Sequence, residues 1–380
     1  MEKDYGAALE KIEEGLKKSL PPKADGPWCS TVFPGLDLSP ELAEALLRPG
    51  RELFNRGGKR WRPLLSLLVC RALGGGDSVL PLLPLVEFPH TASLIHDDLE
   101  DNSDERRGKP AIHLLFGNDT AINSGAFLYF LPLASLETWD ERAENKNRIW
   151  QLWGEHMRRL HLGQSLDIQW HRDPAFVPSI PDYMRMCALK TGCLSRFAAL
   201  LGAEAARITP GGISGAQGRV PAGPASSPAG PKKGPGPAVA DSVGAAAEKL
   251  GVGFQILDDV KNLAAGVPGK KRGDDVVEGK KSLPVLLFLL EGRDGTGKAG
   301  DINKDRAEFT RRCFQAARTG GVSVPEVEEF TGALREAGAL EEAERRGRAL
   351  IGEAAEVFAS LGGKNQRTGT LLAEFMERLQ

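Results

Sequence analysis

The chain has 380 residues, 41% hydrophobic and 26% charged, with a formal net charge of −2. That mix excludes wholesale disorder. It also removes the global positive field that nucleic-acid binding uses, so any polyanion must be held by a local cluster of Lys and Arg. The five cysteines, Cys29, Cys70, Cys187, Cys193 and Cys313, are odd in number and show no C-x-x-C spacing, which argues against a zinc site or disulfide framework and predicts a reducing, cytoplasmic setting.

Residues 5–20 place Tyr5, Ala8, Leu9, Ile12 and Leu16 at helical spacing. They lack the apolar core of a signal peptide, and no uninterrupted apolar run is long enough to span a bilayer, so no stable membrane insertion is expected. Residues 63–73 are apolar nearly all round, which predicts a buried helix ended by Gly74–Gly76. A second apolar segment, 79–101, runs into acids. Pro89 should interrupt and bend it by pushing Phe88 out of the α region. Helical patterns follow over 119–137, 146–170, 181–205, 241–263, 282–291, 304–318, 325–336 and 339–360, and alternating β-branched stretches are nearly absent, so the predicted fold class is all-α. Residues 209–240 are mostly Pro, Gly, Ala and Ser and cannot bury enough apolar surface to offset their ordering entropy. They read as a disordered loop inserted in one domain spanning 1–380, with a domain linker as the alternative. Residues 292–303 form a smaller polar loop.

An apolar helix ending in paired aspartates occurs twice. The first is His96-Asp97-Asp98-Leu99-Glu100-Asp101, where Asp97 and Asp101 lie one turn apart on a shared face. A hard divalent cation with oxygen ligands offsets their repulsion; a solvated acidic helix end is the plainer reading. Arg106-Arg107-Gly108-Lys109 follows closely, and guanidinium groups grip phosphate oxygens in a fork, although surface pairing with Asp104 and Glu105 is also open. The second is Phe254-Gln255-Ile256-Leu257-Asp258-Asp259, with Asn262 where a third carboxylate might be expected. Gly57-Gly58-Lys59-Arg60-Trp61-Arg62 precedes an apolar helix, where backbone N–H groups face an anion. Lys190-Thr191-Gly192 lies in a helical stretch, and Lys270 and Lys280 stand in two basic clusters after the second acidic motif.

These motifs resemble those of the trans-prenyl diphosphate synthases (polyprenyl synthetase family). Asp97-Asp98-x-x-Asp101 with Arg106-Arg107-Gly108 is similar to the first aspartate-rich motif and its partner, and Gln255-x-x-Asp258-Asp259 to the second. Asp98-Leu99-Glu100-Asp101-Asn102-Ser103, Tyr129-Phe130-Leu131 and Leu160-His161-x-Gly163-Gln164 resemble geranylgeranyl diphosphate synthases of fungi and animals. The resemblance implies a helical bundle around a deep cavity, usually a homodimer. It implies Mg2+ held by Asp97, Asp101 and Asp258, and a catalytic set of these three with Asp98, Lys190 and Asp259. Lys59, Arg62, His90 and Arg107 would hold isopentenyl diphosphate. Arg106, Lys190, Thr191, Gln255, Lys270 and Lys280 would hold the allylic diphosphate. The growing chain would descend past the small Ala92 and Ser93 to a floor of Tyr129, Phe130 and His161, which favours a geranylgeranyl over a farnesyl product. A terpene cyclase and a non-catalytic subunit of a heteromeric synthase are the competing readings. The first lacks its expected second metal motif, and the second would have lost the aspartates.

Overall fold

The computed structural model describes residues 2–208, 237–265, 272–290, 302–361 and 366–379. Nearly every element is a helix, as the periodicity predicts; the one strand pair among the described residues is a two-residue hairpin, Glu105–Arg106 against Lys109–Pro110. The segment that is apolar all round becomes the helix Trp61–Ala72, whose residues from Trp61 to Cys70 are all buried. Helix Cys193–Ile208 packs between it and Pro237–Ala264, and Pro237–Ala264 packs in turn on Ala339–Leu361. The last contact is close because both helices carry glycine where they meet: a Cβ on Gly253 would fall 2.7 Å from the carbonyl oxygen of Gly347. A smaller apolar cluster around Phe314 and Phe330 joins the C-terminal helices.

Three expectations change. Helix Pro84–Glu100 runs through Pro89 without interruption, because Phe88 and Pro89 are both buried and packing outweighs the missing hydrogen bond. The segment 119–137 divides into Asn118–Phe130 and Leu133–Thr138, parted at Pro132. Helix Pro237–Ala264 begins inside the predicted 209–240 loop, whose last four residues therefore belong to it; 209–236 lie outside the described residues, as does most of 292–303.

Short elements aim the functional side chains. Between helices Ile180–Cys187 and Cys193–Ile208 the chain forms a π-turn over Ala188–Gly192, a widened turn of the kind frequent at functional sites. It lies against the long helix Ala143–Arg172 at Gly163, where an added Cβ would come within 2.3 Å of the Lys190 backbone nitrogen. At the hairpin tip Arg107 (φ 54°) and Gly108 (φ 75°) both adopt left-handed backbone, as a tight two-residue turn requires.

Candidate active site

The first acidic motif stands at the end of Pro84–Glu100 and draws donors from elsewhere in the chain. Lys190 Nζ lies 3.1 Å from Asp97 and 2.6 Å from Asp167 on the long helix. Gln164 donates to Asp97 at 2.9 Å and to Glu100 at 2.7 Å. Lys280 reaches Asp101 at 3.2 Å and Glu278 at 2.5 Å. Burial alone would lower the Lys190 ammonium, but Asp167 and then Asp97 outweigh it and hold it above the usual lysine range. Lys280 is raised against burial in the same way, chiefly by Asp101 and Glu278. Burial pushes Asp167 up, yet Lys190 and Lys280 bring it below the ordinary carboxyl value. Lys190, Lys280 and Asp167 are therefore ionised at neutral pH, part of a dense array of paired charge in a half-buried recess.

Asp98 faces the other way. It is fully buried and clasped by the Arg106 guanidinium, with Nε at 2.7 Å. Asp98 thus fixes Arg106, which also comes to 3.7 Å from Asp97. The neighbouring Arg107 turns to the opposite side of the hairpin and donates to the carbonyls of Gly57 and Leu53. One dipeptide therefore supplies a cation to each of two adjacent regions.

The second region is basic. Arg62 Nη1 stands 3.3 Å from His90 Nε2. Burial, followed by Arg62 and Arg107, holds His90 well below its ordinary value, so the ring is neutral and its Nε2 accepts from Arg62. Burial brings Arg62 down to about 10, and its Nε is buried with no hydrogen-bond partner among the described residues. The ring centroids of Trp61 and Phe254 are 5.5 Å apart, with Arg62 over the first and the exposed Lys59 over the second.

The second acidic motif is tied to neutral groups. Tyr183 donates to Asp259 at 2.8 Å, Gln255 Nε2 donates to the other Asp259 oxygen at 2.8 Å, and Thr191 donates to Gln255 Oε1 at 2.7 Å. A carboxylate only accepts, so the Gln255 amide N–H2 must face Asp259 and its oxygen must face Thr191. Burial raises Asp259 to about 6, the hydrogen bonds from Gln255 and Tyr183 opposing it. Asp258 is half-buried and within electrostatic reach of Arg62. Asn262 is not aimed as a third carboxylate would be: it is buried and its side-chain oxygen accepts the Asp275 N–H at 3.2 Å, anchoring the short helix Asp274–Glu278 that precedes Lys280.

Lys190 and Thr191 are consecutive, so the two acidic motifs join in one network: Asp97 to Lys190, and Thr191 through Gln255 to Asp259. Lys270 lies outside the described residues. The predicted floor is corrected in part. The rings of Tyr129 and His161 are 5.0 Å apart and His96 stands 5.8 Å from Tyr129, but Phe130 is 60% exposed and meets Trp153 instead. Consecutive helical residues point about 100° apart, so Tyr129 and Phe130 do not both face inward. Asp167, Glu278 and Tyr183 were not anticipated from the sequence. Gln164, Asp167 and His171 recur at helical spacing, a polar stripe on one face that would have marked Asp167.

The polyprenyl synthetase family model matches residues 43–216. A geranylgeranyl pyrophosphate synthase from Eremothecium gossypii is 33% identical over 269 residues, covering 68% of this chain and 75% of that protein. A geranylfarnesyl diphosphate synthase from Aeropyrum pernix is 29% identical over 328 residues, covering 84% and 89%. Among solved structures, a geranylgeranyl pyrophosphate synthetase from Pyrococcus horikoshii superimposes with a TM-score of 0.72 at 23% identity, covering 99% of this chain and 98% of that one, which shows the shared all-α isoprenoid synthase fold. With its aspartate motifs joined in one network and this degree of identity over most of two curated relatives, the chain belongs to the polyprenyl synthetase family and is a prenyltransferase.

Proposed function

We propose that the protein condenses isopentenyl diphosphate with allylic diphosphates (dimethylallyl, geranyl and farnesyl) to make geranylgeranyl diphosphate. The observation that supports this reading is that consecutive residues of the π-turn reach both acidic motifs, Lys190 to Asp97 and Thr191 through Gln255 to Asp259.

The donor chemistry fits Mg2+. Asp97, Asp101 and Asp258 offer hard oxygens from two helices, and the Lys190 and Lys280 ammonium groups beside Asp97 and Asp101 support a cation there. Among the described residues no three His, Cys, Asp or Glu side chains form a metal cage of their own. Magnesium suits such a site, since it keeps water and takes phosphate oxygens beside a few carboxylates. When bound, the metal supplies Lewis-acid polarisation of the departing diphosphate.

The chain's own residues do the rest. Lys190 and Lys280 turn from carboxylate to diphosphate oxygens, while Arg106, held by Asp98, adds a fixed positive charge. Lys59, Arg62, neutral His90 and Arg107 hold isopentenyl diphosphate, and the free Arg62 Nε supplies one N–H. The Thr191 proton is committed to Gln255, so the hydroxyl turns its lone pairs toward the cation that forms when the allylic C–O bond breaks. The alkene of isopentenyl diphosphate then forms the new C–C bond, and the proton it loses passes to the diphosphate that left. Trp61, Phe254 and the surrounding apolar walls exclude the water that would trap the cation as an alcohol.

Ala92 and Ser93 leave the path past the first motif open, and Tyr129 with His96 and His161 closes it. A longer product is the second reading, favoured by the loss of Phe130 from that floor. The catalytic unit is one domain over 1–380. It acts in the cytoplasm as a homodimer in which exposed Ile122 and Phe130 would be covered by a second copy; among the described residues no helix is long and apolar enough to cross a membrane. The test is to supply purified protein with isopentenyl diphosphate, each allylic starter and Mg2+, and to size the products. A twenty-carbon diphosphate is expected; absence of chain extension from every starter overturns the reading.

A further inference from the structure

A second cavity of about 460 Å3 lies outside the reaction centre and shares none of the side chains assigned to it above. It opens between helix Pro40–Asn55, the second hairpin strand and the short helix Ile112–Phe116. Its lining carries Arg48, Arg51 and Lys109 against a single carboxylate, Glu52. Glu52 is shared between Arg56 at 3.2 Å and Lys109 at 3.4 Å, so it neutralises neither fully. Arg51 is only 8% exposed; Glu44 takes its two terminal nitrogens, and its Nε is buried with no partner among the described residues. Arg51 is therefore closed to a ligand, which leaves Arg48 and Lys109 as the exposed cations of the lining. The opposite wall is apolar. Phe116 lies under the Arg48 guanidinium, 5.6 Å from centroid to carbon, and the 46%-exposed Leu115 extends the surface outward.

We propose that this cavity binds a phosphate head group carried on an apolar chain. Arg48 and Lys109 take the phosphate oxygens, and Phe116 and Leu115 take the first carbons of the tail. A soluble prenyl diphosphate and an anionic membrane lipid both have this chemistry. Lys109 pairs with Arg106 across the hairpin, and Arg56 donates to the backbone carbonyls of both, so the site adjoins the strand that presents Arg106.

The experiment is isothermal titration of the full chain, wild type and Arg48→Ala/Lys109→Ala, with geranylgeranyl diphosphate, with inorganic diphosphate, and with phosphatidylcholine vesicles containing or lacking phosphatidylglycerol. Wild type should bind geranylgeranyl diphosphate at one site more than the variant does, the extra site weakening at least about tenfold, while turnover on saturating substrates is unchanged. A variant-sensitive site for inorganic diphosphate assigns the source to the free head group, and variant-sensitive binding to the phosphatidylglycerol vesicles alone assigns it to membrane lipid. If the reading of the reaction centre is wrong, the extra site persists while the shared one disappears. Equal stoichiometry and equal vesicle binding by the two proteins would overturn the proposal.

Discussion

The two aspartate motifs look alike in sequence and are held by opposite means. At the first, Asp97 and Asp101 face ammonium groups delivered from elsewhere in the chain, Lys190 from the π-turn and Lys280 from beyond helix Asp274–Glu278. At the second, Asp259 is held by a phenol and an amide, and Asn262 is spent on a backbone N–H. The contrast separates their tasks. Charges paired across a half-buried recess can be exchanged for a cation and a diphosphate, whereas a buried carboxylate with neutral donors on both oxygens is a fixed strut. In the second motif Asp259 is held by Gln255 and Tyr183, and Gln255 is tied in turn to Thr191.

The largest effect should come from breaking the exchangeable side. Asp97→Ala is expected to lower turnover at least about a thousandfold with the fold retained, read by steady-state kinetics beside circular dichroism. Near-normal activity would remove Asp97 from the site. On the strut side, Tyr183→Phe deletes one donor to a buried charged acceptor, worth about 1.5–3 kcal/mol, so kcat should fall about tenfold or more with little change in KM. A change confined to KM would place Tyr183 in substrate binding instead.

The basic pocket sharpens the contrast through pH. His90 stays neutral in the folded chain because burial and then Arg62 depress its pKa. The unfolded chain takes up that proton below about 6.5 and the folded one does not, so this group removes about 1.4 kcal/mol of stability per pH unit as pH falls from there toward the folded value. Urea unfolding of wild type and His90→Gln between pH 7 and 5 reads the difference; parallel curves would contradict the neutral ring. The smallest effect concerns the floor. Tyr129→Ala should lengthen the product and Phe130→Ala should leave it unchanged, since only the first ring is buried beside His96 and His161. Products lengthened equally by both would restore Phe130 to the floor.

The helices were legible because their apolar periodicity is strong, and the recess was legible because the paired aspartates and basic clusters keep fixed local spacing. What escaped has physical causes. The π-turn at Lys190 depends on Gly163, far away in sequence, whose missing Cβ admits it. Asp167 reads locally as one more acid on an exposed helix until Lys190 arrives across the fold. Arg106 and Arg107 read as one basic pair, but the hairpin turn sends them to different regions. Pro89 reads as an interruption, yet buried packing on both sides carries the helix through it.

The most direct measurement is a crystal structure of the full chain with Mg2+ and an unreactive thio analogue of farnesyl diphosphate. One diphosphate should be contacted from both sides, by metal on Asp97 and Asp101 and by metal on Asp258, with Lys190 Nζ moved from carboxylate to phosphate oxygen. A diphosphate touching only one of the two motifs, with Lys190 still paired to Asp97, would contradict it.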